Sequence, residues 1–145
     1  MEDGISSGIK KGAWKRMTPQ TELLELIAET AENNCNLDTS ISLKELPAEG
    51  GLYAELGEGF GNTTYYNKST EKTIPVLFLC RHADQKRGLE ELHEISHYFQ
   101  RLRQYPQAKT FAWLDTEIAK EPNKIGRDED GVYHFSCILN CKIYY

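Results

Sequence analysis

No stretch of about eighteen consecutive apolar residues occurs in the chain, so no segment reads as a membrane-spanning helix. The opening residues, MEDGISSGIKKGAWKRM, hold no apolar block of the kind a secretion signal needs, and export is not expected. Cysteine is sparse, at four positions (Cys35, Cys80, Cys137 and Cys141). Without export these read as reduced core thiols in place of a disulfide framework. Positive charge is short too: 17 Lys and Arg stand against 22 Asp and Glu, for a net charge of −5. That removes the overall positive field by which proteins gather nucleic acid. Four of the 17 basic and two of the 22 acidic residues fall in residues 1–20, leaving 13 against 20 beyond them. The body is therefore more acidic than the total suggests.

What is present suits one folded domain. The chain has 145 residues, 39% hydrophobic, 27% charged and 10% aromatic, a balance that excludes general disorder. Residues 1–17, rich in Gly, Ser and Lys without apolar periodicity, predict a flexible arm ahead of a domain over 18–145. Thr18-Pro19 is a helix-start signal, because Thr can cap free amides and Pro needs no donor at the first helical position. The helix should run to about Asn33 with Leu23, Leu24, Ile27 and Ala31 inward and Glu22, Glu25 and Glu29 toward water. Ile41–Leu46 and Leu52–Leu56 read as two strands or one bent strand. A glycine loop, Gly57 to Gly61, then leads into a hairpin through Thr63–Tyr66 and a turn at Asn67–Glu71. Val76 to Cys80 is apolar at every position, the pattern of a central strand covered on both faces, with Pro75 near its start.

Asp84 should cap a second helix reaching about Gln104, with Leu89, Leu92, Ile95, Phe99 and Leu102 on one side. A strand at Lys109–Ile118 and a polar connection from Glu121 to Gly131 follow. The final strand is the clearest element: Tyr133, Phe135, Cys137, Leu139, Cys141, Ile143 and Tyr145 alternate with His134, Ser136, Asn140 and Lys142. This order predicts an α+β fold, a mainly antiparallel mixed sheet of about five to six strands with two helices packed on one face.

Three strings invite a chemical reading. His93-Glu94-Ile95-Ser96-His97 matches H-E-x-x-H, in which two His one helical turn apart hold zinc and Glu serves as general base. Yet His93 and His97 lie away from the apolar stripe, and Glu91 and Glu94 beside His93 suggest solvent. Gln100 and Arg103 also occupy the places of Gly and His in the longer metalloprotease form. His93 and His97 stay as metal candidates within an alternative reading, a zinc-dependent hydrolase. Leu56-Gly57-Glu58-Gly59-Phe60-Gly61 is one residue short of the phosphate-cradling G-x-G-x-x-G and reads as a hairpin loop. The basic arm around Trp14 supports a second alternative, a small nucleic-acid-binding module.

The order of elements and several local strings resemble a family of tailed-bacteriophage morphogenesis proteins, the minor capsid or tail terminator (tail completion) proteins. The strings are the first helix; Leu43-Lys44-Glu45-Leu46-Pro47 leading to Gly50-Gly51-Leu52; Tyr65-Tyr66; Pro75-Val76-Leu77-Phe78; Asp84-Gln85 opening a helix with Leu89, Leu92 and Ile95; and the strand ending Tyr144-Tyr145. The resemblance covers roughly residues 18–145. It implies a structural role without catalysis, cofactor or membrane: a homo-oligomeric ring, commonly of six subunits, that caps the tail tube and meets the head connector. Such a protein resides in the virion, after assembly in the host cytoplasm, and DNA crosses its ring without specific binding. A ring subunit needs two different adhesive surfaces, for which Leu52, Tyr53, Tyr65 and Tyr66 are the candidates. The plainer possibility is that the two hairpin tyrosines only cover the sheet.

Overall fold

The computed structural model describes residues 17–145, so all of the arm expected over 1–17 except Met17 lies outside the described residues. Helix α1 spans Pro19–Asn34. Its start is fixed by a reciprocal pair: the Thr18 hydroxyl accepts the Thr21 N–H at 3.2 Å, and the Thr21 hydroxyl oxygen accepts the Thr18 N–H at 3.1 Å. Leu23, Ile27, Ala28, Thr30 and Ala31 are buried. Glu25 and Glu29 face water as expected, but Glu22 does not. Its carboxylate accepts the backbone N–H groups of Lys109 and Thr110, each at 2.8 Å, and the Thr110 hydroxyl at 2.6 Å.

Strand β1 is only Ile41–Ser42. It stops short of the expected Leu46 because the Ser42 hydroxyl accepts the N–H groups of Lys44 and Glu45, a local turn that competes with strand pairing. β2 (Gly51–Leu56) lies parallel to it, with Ile41 opposite Leu52. Entry into β2 needs positive φ at Gly50 (116°) and Gly51 (148°), which glycine adopts without steric cost.

β3 (Phe60–Thr64) and β4 (Thr70–His82) form the expected hairpin. Its turn is closed by Tyr65 N–H to Ser69 O (2.8 Å) and Lys68 N–H to Tyr65 O (2.9 Å). β4 is the central strand. β2 and β3 pair successive parts of one edge, while β6 (Tyr133–Tyr144) pairs the other edge from Glu71 to His82.

Between β4 and β6 come helix α2 (Gln85–Arg101) and strand β5 (Ala112–Arg127). The Asp84 carboxylate caps α2 through the N–H groups of Lys86 and Arg87. The helix ends three residues before the expected Gln104. The Tyr105 hydroxyl donates to the Phe99 carbonyl at 3.3 Å, the acceptor a continuing helix would give to Arg103, and the Tyr105 ring stacks on Trp113. β5 departs most from expectation, running nine residues past Ile118 and through Pro122. It is an edge strand with several register irregularities, where a missing N–H costs no ladder bond. Among the described residues the six strands run β1-β2-β4-β6-β5, with β3 beside β2 on β4, all antiparallel except β1 with β2.

α1 packs over β1 and β2, and α2 over β4, β5 and β6. Beneath them Ile74, Val76, Phe78 and Cys80 of β4 join Phe135, Cys137, Leu139, Cys141 and Ile143 of β6 in one core with Leu23, Ile27, Leu92, Ile95 and Phe99. Fully burying each large apolar side chain contributes about 1.5–3 kcal/mol. The expectation that the central strand is covered on both faces is only half met. Among the described residues no helix packs on the opposite face, where Leu77, Leu79 and Ile138 are half-buried by their neighbours in the sheet.

Candidate functional site

His93 and His97 stand one turn apart on α2, ring centroids 5.7 Å from each other. His97 is exposed, and His93 is half-buried with its Nδ1 out of solvent and without a partner. Glu94, the would-be general base, instead accepts the Asn36 N–H and holds the loop after α1. Glu91, expected in solvent, is 1% exposed. The sequence disguises it, since a carboxylate among Glu90, Glu94 and two His reads as part of a wet face.

Among the described residues, the side chains that bring three metal-ligating atoms within 4.8 Å of one another are Asp38, His82 and Glu91. Those atoms are already engaged with one another and with Arg87. His82 Nδ1 accepts the Asp84 N–H at 3.0 Å, which places the ring proton on Nε2, facing Asp38 Oδ2 at 3.0 Å. Glu91 accepts the Asp38 N–H at 2.6 Å and the Cys80 thiol at 3.7 Å. The Arg87 guanidinium takes the cation's place, 3.2 Å from Asp38 and 3.7 Å from Glu91. Hydrogen bonds from His82 and then Arg87 hold the Asp38 carboxyl below its ordinary range. The group fits an internal clamp that ties the α1–β1 connection to α2 and to the end of β4.

The glycine string lies against the sheet edge. Gly57 donates its N–H to Pro75 O at 2.7 Å, and a Cβ there would meet Pro75 at 3.2 Å, so the glycine serves close packing between backbones. All four cysteines are buried and free.

The surface tells more. Among the described residues, the exposed large apolar side chains are Phe60, Tyr65, Tyr66, Leu114, Ile125 and Tyr144. Register gathers three of them, Phe60, Tyr65 and Tyr144, at one end of the helix-free face. Glu71 lies between Thr63 and Tyr144, Tyr144 is opposite Ala112, and Phe60 is opposite Thr73, whose other neighbour is Lys142. Tyr65 and Tyr144 rings are 6.1 Å apart. The Tyr65 hydroxyl donates to Glu71 at 3.2 Å, and Lys142 reaches the second Glu71 oxygen at 3.7 Å. The Glu71 charge and this hydrogen bond raise the Tyr65 pKa, so its hydroxyl stays a donor.

Of the four residues expected at a subunit interface, Tyr65 leans on this patch and Tyr66 projects fully into solvent. Tyr53 is half-buried on the same face, opposite Leu79. Leu52 is fully buried on the core side, so its side chain offers nothing to a partner. Phe60 and Tyr144 belong to this patch and are not among the four expected. Tyr144 had a signal: at period two it falls with His134, Ser136 and Lys142, an aromatic out of place on a polar face.

No curated protein matches the chain. A family model described as bacteriophage tail terminator protein matches residues 30–145, which take in all six strands and α2. With more than half its length matched and its chain order the expected one, the protein belongs to the bacteriophage tail terminator family, with a structural role in phage tail morphogenesis.

Proposed function

We propose that residues 18–145 form the repeating unit of a closed ring, of six copies, that caps the tail tube and presents its other side to the head connector. The observation that carries this reading is the apolar patch at one end of the helix-free face, where Phe60, Tyr65 and Tyr144 surround the Glu71–Lys142 pair. Scattered exposed apolar residues need no explanation, but aromatics gathered around a polar pair are the composition of partner-binding surfaces. Tyr53, Tyr65 and Tyr66 are the interface residues of this proposal. The excess of acidic residues beyond position 20 gives the ring a surface that repels DNA, letting it cross the lumen without specific binding. The ring acts as a structural joint, and its chemistry is adhesion.

Light scattering over a range of concentrations, with and without Mg²⁺, tests the ring. A discrete mass near six times the 16.6 kDa chain supports it. A species that stays monomeric at every concentration, and also when mixed with tail tubes, overturns it.

A further inference from the structure

A cleft of about 590 Å³ lies between the second half of α1 and the chain leaving α2, within the size range of sites that take a bound group. Leu26, Tyr98, Leu102 and Tyr105 give it an apolar lining, and Asn33 and Gln107 are among its amide-bearing residues. Glu29 lines it, on a helix that contains no Lys or Arg over residues 19–34 and also exposes Glu25. Elsewhere on the protomer, the β3–β4 turn offers a matching shape. Tyr66 is 104% exposed, the highest value among the large apolar residues, and Lys68 follows two residues later. The turn is held by its two backbone hydrogen bonds and by Asn67 Oδ1 accepting the Ser69 N–H at 3.1 Å, so little backbone freedom remains to be lost on binding.

We propose that the Tyr66 ring of one copy seats in the α1–α2 cleft of the next copy, with Lys68 meeting Glu29. The proposal rests on the ring reading and names its contact. An aromatic knob and a cleft of mixed apolar and polar lining on different parts of one chain make a heterologous interface, the kind that repeats around an axis and closes. Tyr supplies a rigid apolar body and a hydroxyl for the amide-bearing residues, a combination common at binding hot spots. Lys68 opposite an all-acidic helix sets orientation by charge.

The test uses the full chain and reads association by sedimentation or light scattering, with circular dichroism confirming the fold of each variant. Tyr66→Ala, Lys68→Glu and Glu29→Lys should each weaken assembly about tenfold or more, the scale of losing one hot-spot contact. The double variant Lys68→Glu with Glu29→Lys should recover most of that loss. If the wild type forms rings while Tyr66→Ala and Glu29→Lys assemble as tightly, the contact is wrong and the ring stands. Single variants that weaken assembly without recovery in the double variant also overturn it. If deleting residues 1–16 abolishes assembly while Tyr66→Ala is silent, the contact is likewise overturned. A wild type that never associates removes the ring reading, and this contact with it.

Discussion

The Glu91 carboxylate accepts the backbone N–H of Asp38 at 2.6 Å, joining the middle of α2 to the connection that follows α1. Glu91 is 1% exposed, and its other oxygen faces the Cys80 thiol. Truncation would leave the part-buried Asp38 amide unpaired and Arg87 without one of its two carboxylates. Glu91→Ala should therefore cost about 3–5 kcal/mol, the range for breaking a buried charged contact. Urea unfolding of the two proteins measures the difference, and a loss below about 1 kcal/mol would contradict the clamp.

Two carboxylates make stability depend on acid. Asp128 is held below its ordinary 3.8 first by the hydrogen bond from His134, at 2.7 Å, and then by Arg81. Asp38 is held below the same value by His82 and then Arg87. For a depressed carboxyl the stabilisation is complete above the unfolded value and is lost as pH falls through the lower folded one. Unfolding midpoints should thus fall below about pH 4, and Asp128→Asn should flatten part of that slope. An identical acid slope in the variant would show that this pair contributes nothing.

Gly88 sits in α2, where alanine is normally the better residue by about 1 kcal/mol. Here an added Cβ would lie 2.5 Å from Phe135 Cε2 and 3.1 Å from His82 Cβ. Gly88→Ala should therefore destabilise, by about 1–3 kcal/mol of overpacking. Thermal unfolding decides the sign, and a raised midpoint would mean that the sheet yields readily.

Burial pushes the Cys80, Cys137 and Cys141 thiols up to about 12, and Cys35 to about 11. At about pH 8 almost no thiolate is available at any of them. Ellman's reagent should find all four silent in the folded protein and all four reactive in denaturant. Cys35, at 9% exposed, should be the first to react if the fold is loosened. Rapid labelling of Cys137 in the native protein would contradict its place in the core.

Elements whose reasons are local were legible. The alternation from Tyr133 to Ile143 specified β6, and Thr18 and Asp84 marked both helix starts. What escaped depended on partners far along the chain. Glu22 and Glu91 read as solvated because nothing near them in sequence announces Thr110 or Asp38. Pro122 argued against a strand, yet only the sheet order shows that its strand is an edge. The second apolar row of β4, Leu77 and Leu79, suggested cover on both faces of the strand, although the expected packing of both helices on one face leaves that row to its neighbours in the sheet. Leu52 and Tyr53 show the same limit at finer scale. They are adjacent in sequence, and one residue of register sends the first into the core and the second to the open face.

The pairing of β4 along its whole length with β6 also sets a problem of timing. About fifty residues separate the end of β4 from the start of β6, so a ribosome adding about 5–20 residues per second leaves Ile74 to Cys80 without that neighbour for several seconds. Through that interval the nascent chain offers a hydrophobic strand with an open edge, a template for pairing with other chains. The β5–β6 hairpin, local in sequence, forms readily once made and closes that edge. The strand that becomes the middle of the sheet is thus the part of the chain most in need of a chaperone while the protein is being synthesised.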